Sequence, residues 1–160
     1  MRQQVTSAQP FVKVLADRNF RAGESSGEPT LLFAVSDSET RNALAVIVRA
    51  FALNARWVSS TAVAQYMLES REFAACVCGF SPLDGGTYLD LARCVKRQSV
   101  AVPLIMVSSP RPAHEYQDYL ASMKAGAFDF ICYPYERTEV ARILRRAVTA
   151  HYASARTQLV

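Results

Sequence analysis

The sequence predicts an α/β protein: a doubly wound sheet of five parallel strands with helices on both faces. Three observations predict it. Five short apolar runs alternate with five stretches of helical periodicity between residues 31 and 154. The runs are apolar along their length, as strands are when helices cover both faces of a sheet. Strand and helix follow one another in turn, a succession that returns the chain to parallel pairing through right-handed crossovers. At 160 residues the chain can bury one good core, so a single domain is expected.

Leu31, Leu32, Phe33, Ala34 and Val35 form the first run. The polar residues after it, Ser36 to Thr40, are rich in N-cap chemistry. The helix at residues 41–53 then sets Leu44, Ile47, Val48 and Phe51 at helical spacing. Asn54 suits a helix stop, and residues 55–58 form the second strand. Ser60 and Thr61 cap a second helix reaching Leu68, with Val63, Tyr66 and Met67 inward. Residues 73–80 are the third strand. Gly85 and Gly86 open a helix to about residue 97, with Tyr88, Leu91, Ala92 and Val95 on one side. The fourth strand is 102–108, with Pro103 at its start, where a missing N–H is tolerable. After a turn at 111–114, residues 115–125 are helical and stop at Gly126, a C-cap residue. Residues 128–132 are the fifth strand. Tyr133, Pro134 and Tyr135 turn the chain into a last helix from Thr138 to about residue 154, with Val140, Ile143, Leu144 and Val148 inward.

The start of the chain reads differently. Residues 21–29 carry Gly, Ser, Glu and Pro, which is linker chemistry. The expected organisation is a loosely ordered extension at 1–29, a domain at 30–153 and a short tail at 154–160.

With 51% apolar residues the composition is that of a globular protein rather than a disordered one. The formal charge of +4 is mild and fits a solvated surface. No apolar run approaches the ~20 residues of a bilayer span. Lys13, Asp17 and Arg18 interrupt what would be a signal-peptide core, so a cytoplasmic protein with no membrane partner is expected. Three of the four cysteines, Cys76, Cys78 and Cys132, fall in predicted strands, where free Cys behaves as a small buried hydrophobe; the fourth is Cys94. A zinc site is not expected, because the cysteines are scattered and His114 and His151 lie far along the chain.

The strand order expected for such a fold is 2-1-3-4-5, flavodoxin-like, which sets its site at the carboxyl ends of strands one and three. Ser36, Asp37 and Cys78 stand there. The third strand runs on through Cys78, Gly79, Phe80, Ser81, Pro82, Leu83, Asp84, Gly85 and Gly86. Together with the polar turn at Ser36, the hydroxyl of Ser108, the stretch from Lys124 to Ala127 and the Tyr133-Pro134-Tyr135 turn, this pattern resembles the response-regulator receiver (CheY-like) domains of two-component signalling. The resemblance covers residue 31 to about residue 152.

It implies a phosphorylation pocket that is degenerate. Counting four residues back from Pro82, the phosphoacceptor Asp of the family corresponds to Cys78. Its pair of metal-binding acids corresponds to Ser36 and Asp37, its switch hydroxyl to Ser108, its lysine to Tyr133 and its switch aromatic to Phe130. Acceptor, one acid and counter-cation are missing together, as in the pseudo-receiver class. No physiological metal and no cofactor is expected, Asp37 being the one weak metal candidate. An enzyme is not expected either: there is no Gly-rich phosphate loop and no set of Ser, His and acid placed for catalysis.

The expected function is that of a phosphorylation-independent protein-interaction module in bacterial-type signal transduction. Two alternatives stand beside it: a thiol-based sensor through Cys78, and a phosphorylatable regulator using Asp37 or Asp84. The resemblance implies a protein partner, a histidine kinase or other signalling protein, or a homodimer. The docking face would be the fourth helix, fifth strand and fifth helix, with Tyr116, Tyr119, Tyr135, Arg142 and Arg145 as anchors. Nucleic acid is not an expected partner, since the five helices are used by the sheet and no helix-turn-helix remains.

Overall fold

Short runs of Leu, Val, Phe and Cys can satisfy their backbone only by pairing, and they bury both faces only when helices cover them. The computed structural model describes residues 28–80, 83–111 and 115–158. Most of the expected extension, together with Pro82 and His114, lies outside the described residues. In chain order the elements are β1 (Thr30–Ala34), α1 (Ser38–Ala50), β2 (Asn54–Val58), α2 (Thr61–Ser70), β3 (Ala75–Gly79), α3 (Tyr88–Lys96), β4 (Leu104–Val107), α4 (Glu115–Lys124), β5 (Asp129–Ile131) and α5 (Arg137–Gln158). All four strand pairings are parallel, and the order is β2-β1-β3-β4-β5. This is the predicted doubly wound, CheY-like sheet.

Strand alternation sorts the apolar residues into two cores. Leu32, Ala34, Cys76, Cys78, Leu104, Met106 and Phe130 share one face with Met67 of α2 and Leu91 of α3. Leu31, Phe33, Val77, Ile105, Val107 and Ile131 share the other with Leu44 of α1 and Leu144 of α5. The register joins Val58, Ala34, Cys78, Met106 and Phe130 into one row across the whole sheet.

Several boundaries move for local reasons. α3 starts at Tyr88, not at the glycines, because Thr87 and Asp90 form a capping box: Thr87 N donates to Asp90 Oδ2 at 2.9 Å. Gly86 stands where a Cβ would lie 2.5 Å from that carboxylate oxygen and 2.7 Å from Thr61 Oγ1, so a side chain there would displace the cap. Gly126 has φ +93°, as its predicted stop at the end of α4 requires. β5 is only three residues long, and Cys132 beyond it is exposed rather than buried in a strand.

α5 runs through the expected tail to Gln158. Part of its length is held by His151, which is buried. His151 Nδ1 donates to Ala101 O at 2.9 Å, while Nε2 lies 3.4 Å from Glu72 Oε2. The helix is thereby tied to the lead-in segments of both β3 and β4.

Replacing Thr87 by Ala removes the reciprocal cap of α3. We expect a loss of about 1 kcal/mol in urea unfolding, with an unchanged slope.

Candidate functional site at the strand ends

Parallel strands end together, and helix N-termini gather at the same edge. In this sheet that edge carries a cleft of about 290 Å³. β1 and the start of α1 contribute Val35, Ser36, Asp37 and Thr40. Gly79 and Phe80 come from the end of β3, Ser109 and Arg111 follow β4, and Asp118 stands on α4.

Asp37 is the N-cap of α1. Its Oδ2 accepts from Thr40 N at 2.8 Å and from Thr40 Oγ1 at 2.6 Å. The Thr40 hydroxyl bond, and then its amide bond, hold the Asp37 carboxyl below its ordinary pKa against the opposing effect of partial burial. Beside it Arg111 pairs with Glu39 at 2.8 Å, an exposed bridge that adds little to stability.

Next to the cleft the ends of β4 and β5 are joined. Ser108 Oγ accepts from Tyr133 N at 2.8 Å. Tyr135 donates its phenol proton to Ser108 O. Burial pushes the Tyr135 phenol above its ordinary pKa, so it remains a donor at neutral pH. Thr40 Oγ1 lies 3.2 Å from Tyr135 Oη. Each hydroxyl carries one proton, and both are already committed, to Asp37 and to Ser108 O. The contact therefore places the two oxygens side by side without adding a full hydrogen bond. Asp37, Thr40, Tyr135, Ser108 and Tyr133 form one polar chain from the start of α1 to the ends of β4 and β5.

The sequence-based pocket is met in part. Ser36 and Asp37 line the cleft. Ser108 is 2% exposed and is bonded to Tyr133, whose ring is half-exposed; neither lines the cleft. Cys78 does not line the cleft. Its thiol is fully buried in the row with Ala34 and Met106, and it donates to Gly79 O at 3.3 Å. Adjacent residues of a strand point to opposite faces. The β3 residues that face with Val35 and Val107 are Val77 and Gly79, so the cleft position of β3 is Gly79, which has no side chain. Burial pushes the Cys78 thiol up to about 12, leaving no thiolate at neutral pH.

Asp84 is exposed and away from the cleft. Its backbone bridges the residues after β2, with Asp84 N donating to Ser59 O and Thr61 N to Asp84 O. Phe130 lies in an aromatic group, 5.6 Å from Phe80 and 5.7 Å from Tyr119. The five expected interface anchors have different surroundings. Tyr116 and Tyr119 stand on α4 around Phe130 and Cys132, Arg142 and Arg145 line a groove with Phe51, and the Tyr135 hydroxyl turns inward.

Thr40, Gly79, Arg111 and Asp118 were not among the sequence-based candidates. Gly79 was readable from strand parity, given that Cys76 and Cys78 share a face. Arg111 and Asp118 reach the cleft from a loop and a helix that no local pattern points there.

A hard dication wants several oxygen ligands. The carboxylates lining the cleft are Asp37, whose Oδ2 already takes two hydrogen bonds, and Asp118. Among the described residues no group of three or more metal-ligating side chains gathers. The donor set does not fit a divalent ion.

No protein-family model matches the chain, and no curated protein matches it. Solved structures do. The signal receiver domain of an HD domain-containing protein from Pseudomonas fluorescens Pf-5 superposes with TM-score 0.68 at 16% identity, over 81% of this chain and 93% of that one. The receiver domain of a sensor histidine kinase from Pseudomonas aeruginosa PAO1, with a magnesium ion coordinated in its active-site cleft, gives 0.66 at 18%, over 77% and 99%. A CheY-like receiver domain protein from Methanospirillum hungatei JF-1 gives 0.63 at 14%, over 79% and 98%. The fold is thus that of receiver domains. No helix among the described residues is long and apolar enough to cross a membrane.

Two neighbouring substitutions separate the core position from the cleft position. Cys78→Asp buries an unpaired carboxylate and should cost roughly 3 kcal/mol or more. Gly79→Asp should fold with a loss of about 1 kcal/mol, because a Cβ there meets nothing closer than Val35 Cγ1 at 4.0 Å. It should also give the cleft a Mg²⁺ affinity that calorimetry detects and the wild type lacks. Equal stability of the two variants would contradict the assignment.

Asp37 sets an acid dependence. Its pKa is lowered on folding, so its contribution to stability is complete above the unfolded value, ~4. That contribution is lost as pH falls through the folded value. Asp37→Asn should flatten the decline of the urea midpoint below about pH 4.

Proposed function

We propose that this chain is a receiver-like domain that acts without phosphorylation, as a protein-interaction module in two-component-type signal transduction. It turns over no substrate. Its partner is a signalling protein, such as a histidine kinase, or a second copy of the chain.

The observation that carries this reading is the occupied state of the strand-end groups. The Asp37 carboxylate is engaged by Thr40, the Ser108 hydroxyl by Tyr133 N, and the Ser108 carbonyl by Tyr135. A phosphoryl group arriving in the cleft would meet Gly79, which has no side chain to accept it, and Arg111, whose guanidinium is already paired with Glu39. The polar chain holds the strand ends in one arrangement by bonds internal to the protein, so the signalling surface needs no chemical trigger.

An exposed apolar stripe on α4 supports the interaction half of the reading. Tyr116 is 74% exposed, and Tyr119, Leu120 and Met123 follow at helical spacing, each more than two-fifths exposed. Contiguous apolar surface of this kind marks contact sites, and Tyr is a favoured anchor.

The test is intact-mass measurement after incubation with acetyl phosphate and Mg²⁺. The expected result is an unchanged mass. A stable gain of one phosphoryl group, on Asp37, Asp84 or any other residue, would overturn the phosphorylation-independent reading.

A further inference from the structure

The described surface has a second concave region. It is a groove of about 710 Å³ lined by Phe51, Phe128, Ala141, Arg142, Arg145 and Arg146, among others. Phe51 caps the end of α1, Phe128 leads into β5, and the remaining lining residues stand on α5. The guanidinium of Arg145 lies over the Phe51 ring, 5.2 Å from its centre, and that of Arg146 over Phe128 at 5.5 Å.

The three arginines are not equivalent. Arg142 bonds Glu139 at 2.6 Å, and Arg146 bonds Asp129 at 3.0 Å. Arg145 pairs with no carboxylate among the described residues; its contact is the ring of Phe51. A guanidinium stacked on an aromatic face keeps its in-plane N–H donors available, and it is more weakly hydrated than an ammonium. Those donors match a carboxylate in bidentate geometry. The groove therefore joins an apolar floor to one positioned cation with no carboxylate partner among the described residues.

We propose that this groove docks an acidic amphipathic segment of a partner protein. An apolar side chain of the segment covers Phe51 and Phe128, and a carboxylate bonds Arg145. The inference rests on the reading of the chain as an interaction module, and it names a surface and a partner chemistry that the α4 stripe does not supply. A protein segment fits better than a membrane surface, because the site is concave with an apolar floor and takes a single protruding side chain.

The experiment is fluorescence anisotropy with a fluorescein-labelled Leu/Glu peptide of helical periodicity, its Leu/Gln counterpart, and vesicles of phosphatidylcholine with phosphatidylserine. The expected result is binding of the Leu/Glu peptide, weakened by salt. It should weaken roughly fivefold or more with the Leu/Gln peptide, in Arg145→Gln and in Phe51→Ala. Arg145 is exposed, so Arg145→Gln should keep the wild-type thermal unfolding profile. A Tyr116→Ala/Tyr119→Ala variant should bind as the wild type does.

Absence of Leu/Glu binding, or equal binding by Arg145→Gln, would overturn the proposal. So would vesicle binding that depends on Arg145 in the absence of peptide binding. Loss confined to the α4 variant would move docking to that helix, overturning the groove while leaving the interaction module standing. A phosphoryl gain in the mass experiment would instead strike the module reading itself.

Discussion

The bond from Tyr133 N to Ser108 Oγ decides how the strand ends of this protein behave. Ser108 is the first residue after β4, and Tyr133 lies two residues after β5. A hydroxyl that accepts a backbone N–H across two strands fixes both at once, and a second bond, from the Tyr135 phenol to Ser108 O, fixes the same pair of segments. Through Thr40 the Tyr135 oxygen also abuts the cap of α1. Hydrogen bonds in a partly buried network support one another, and removing one leaves the others with an unsatisfied group. The ends of two paired strands are thereby joined beyond their ladder, with the cap of α1 packed against them.

The fold itself does not depend on reactive groups at this edge. The two cores on either side of the sheet are filled, and Cys78 contributes to one of them as a small apolar residue in the row from Val58 to Phe130. The cleft above the strands needs little for its shape beyond β1, β3 and β4 ending at the same level. Chemistry at that edge depends on which side chains stand there. Here one acid caps a helix, a glycine leaves a gap, and Arg111 is paired with Glu39. On the proposed reading the docking surfaces lie outside the cleft, on the stripe of α4 and in the arginine-lined groove beside α5.

Much of the architecture was legible in the sequence, because strands and helices buried on one or both faces must be apolar in a readable period. The runs around Phe33, Val77 and Ile105 fall in strands, and Leu44, Leu91 and Leu144 face the sheet as their helical spacing required. The boundary of α3 was harder, since the reciprocal bonds of Thr87 and Asp90, rather than the glycines before them, set its start. Asp37 was legible next to a strand end and lines the cleft, whereas Ser108 stands at the end of β4 without lining it; Cys78 shares its face of the sheet with Ala34 and Met106, and Gly79 is the β3 residue at the cleft. Arg111 and Asp118 could not be read at all: their approach depends on how a loop and α4 pack, which no local period encodes. For the same reason the groove that Arg142 and Arg145 line with Phe51 was not legible.

The central claim is that the strand ends are joined by the protein's own hydrogen bonds and do not respond to phosphate. Hydrogen exchange of the Tyr133 amide, followed by NMR, tests it most directly. The account predicts a strongly protected amide that loses protection in Ser108→Ala and is unchanged by acetyl phosphate with Mg²⁺. Fast exchange in the wild type, or protection that shifts when acetyl phosphate is added, would contradict it.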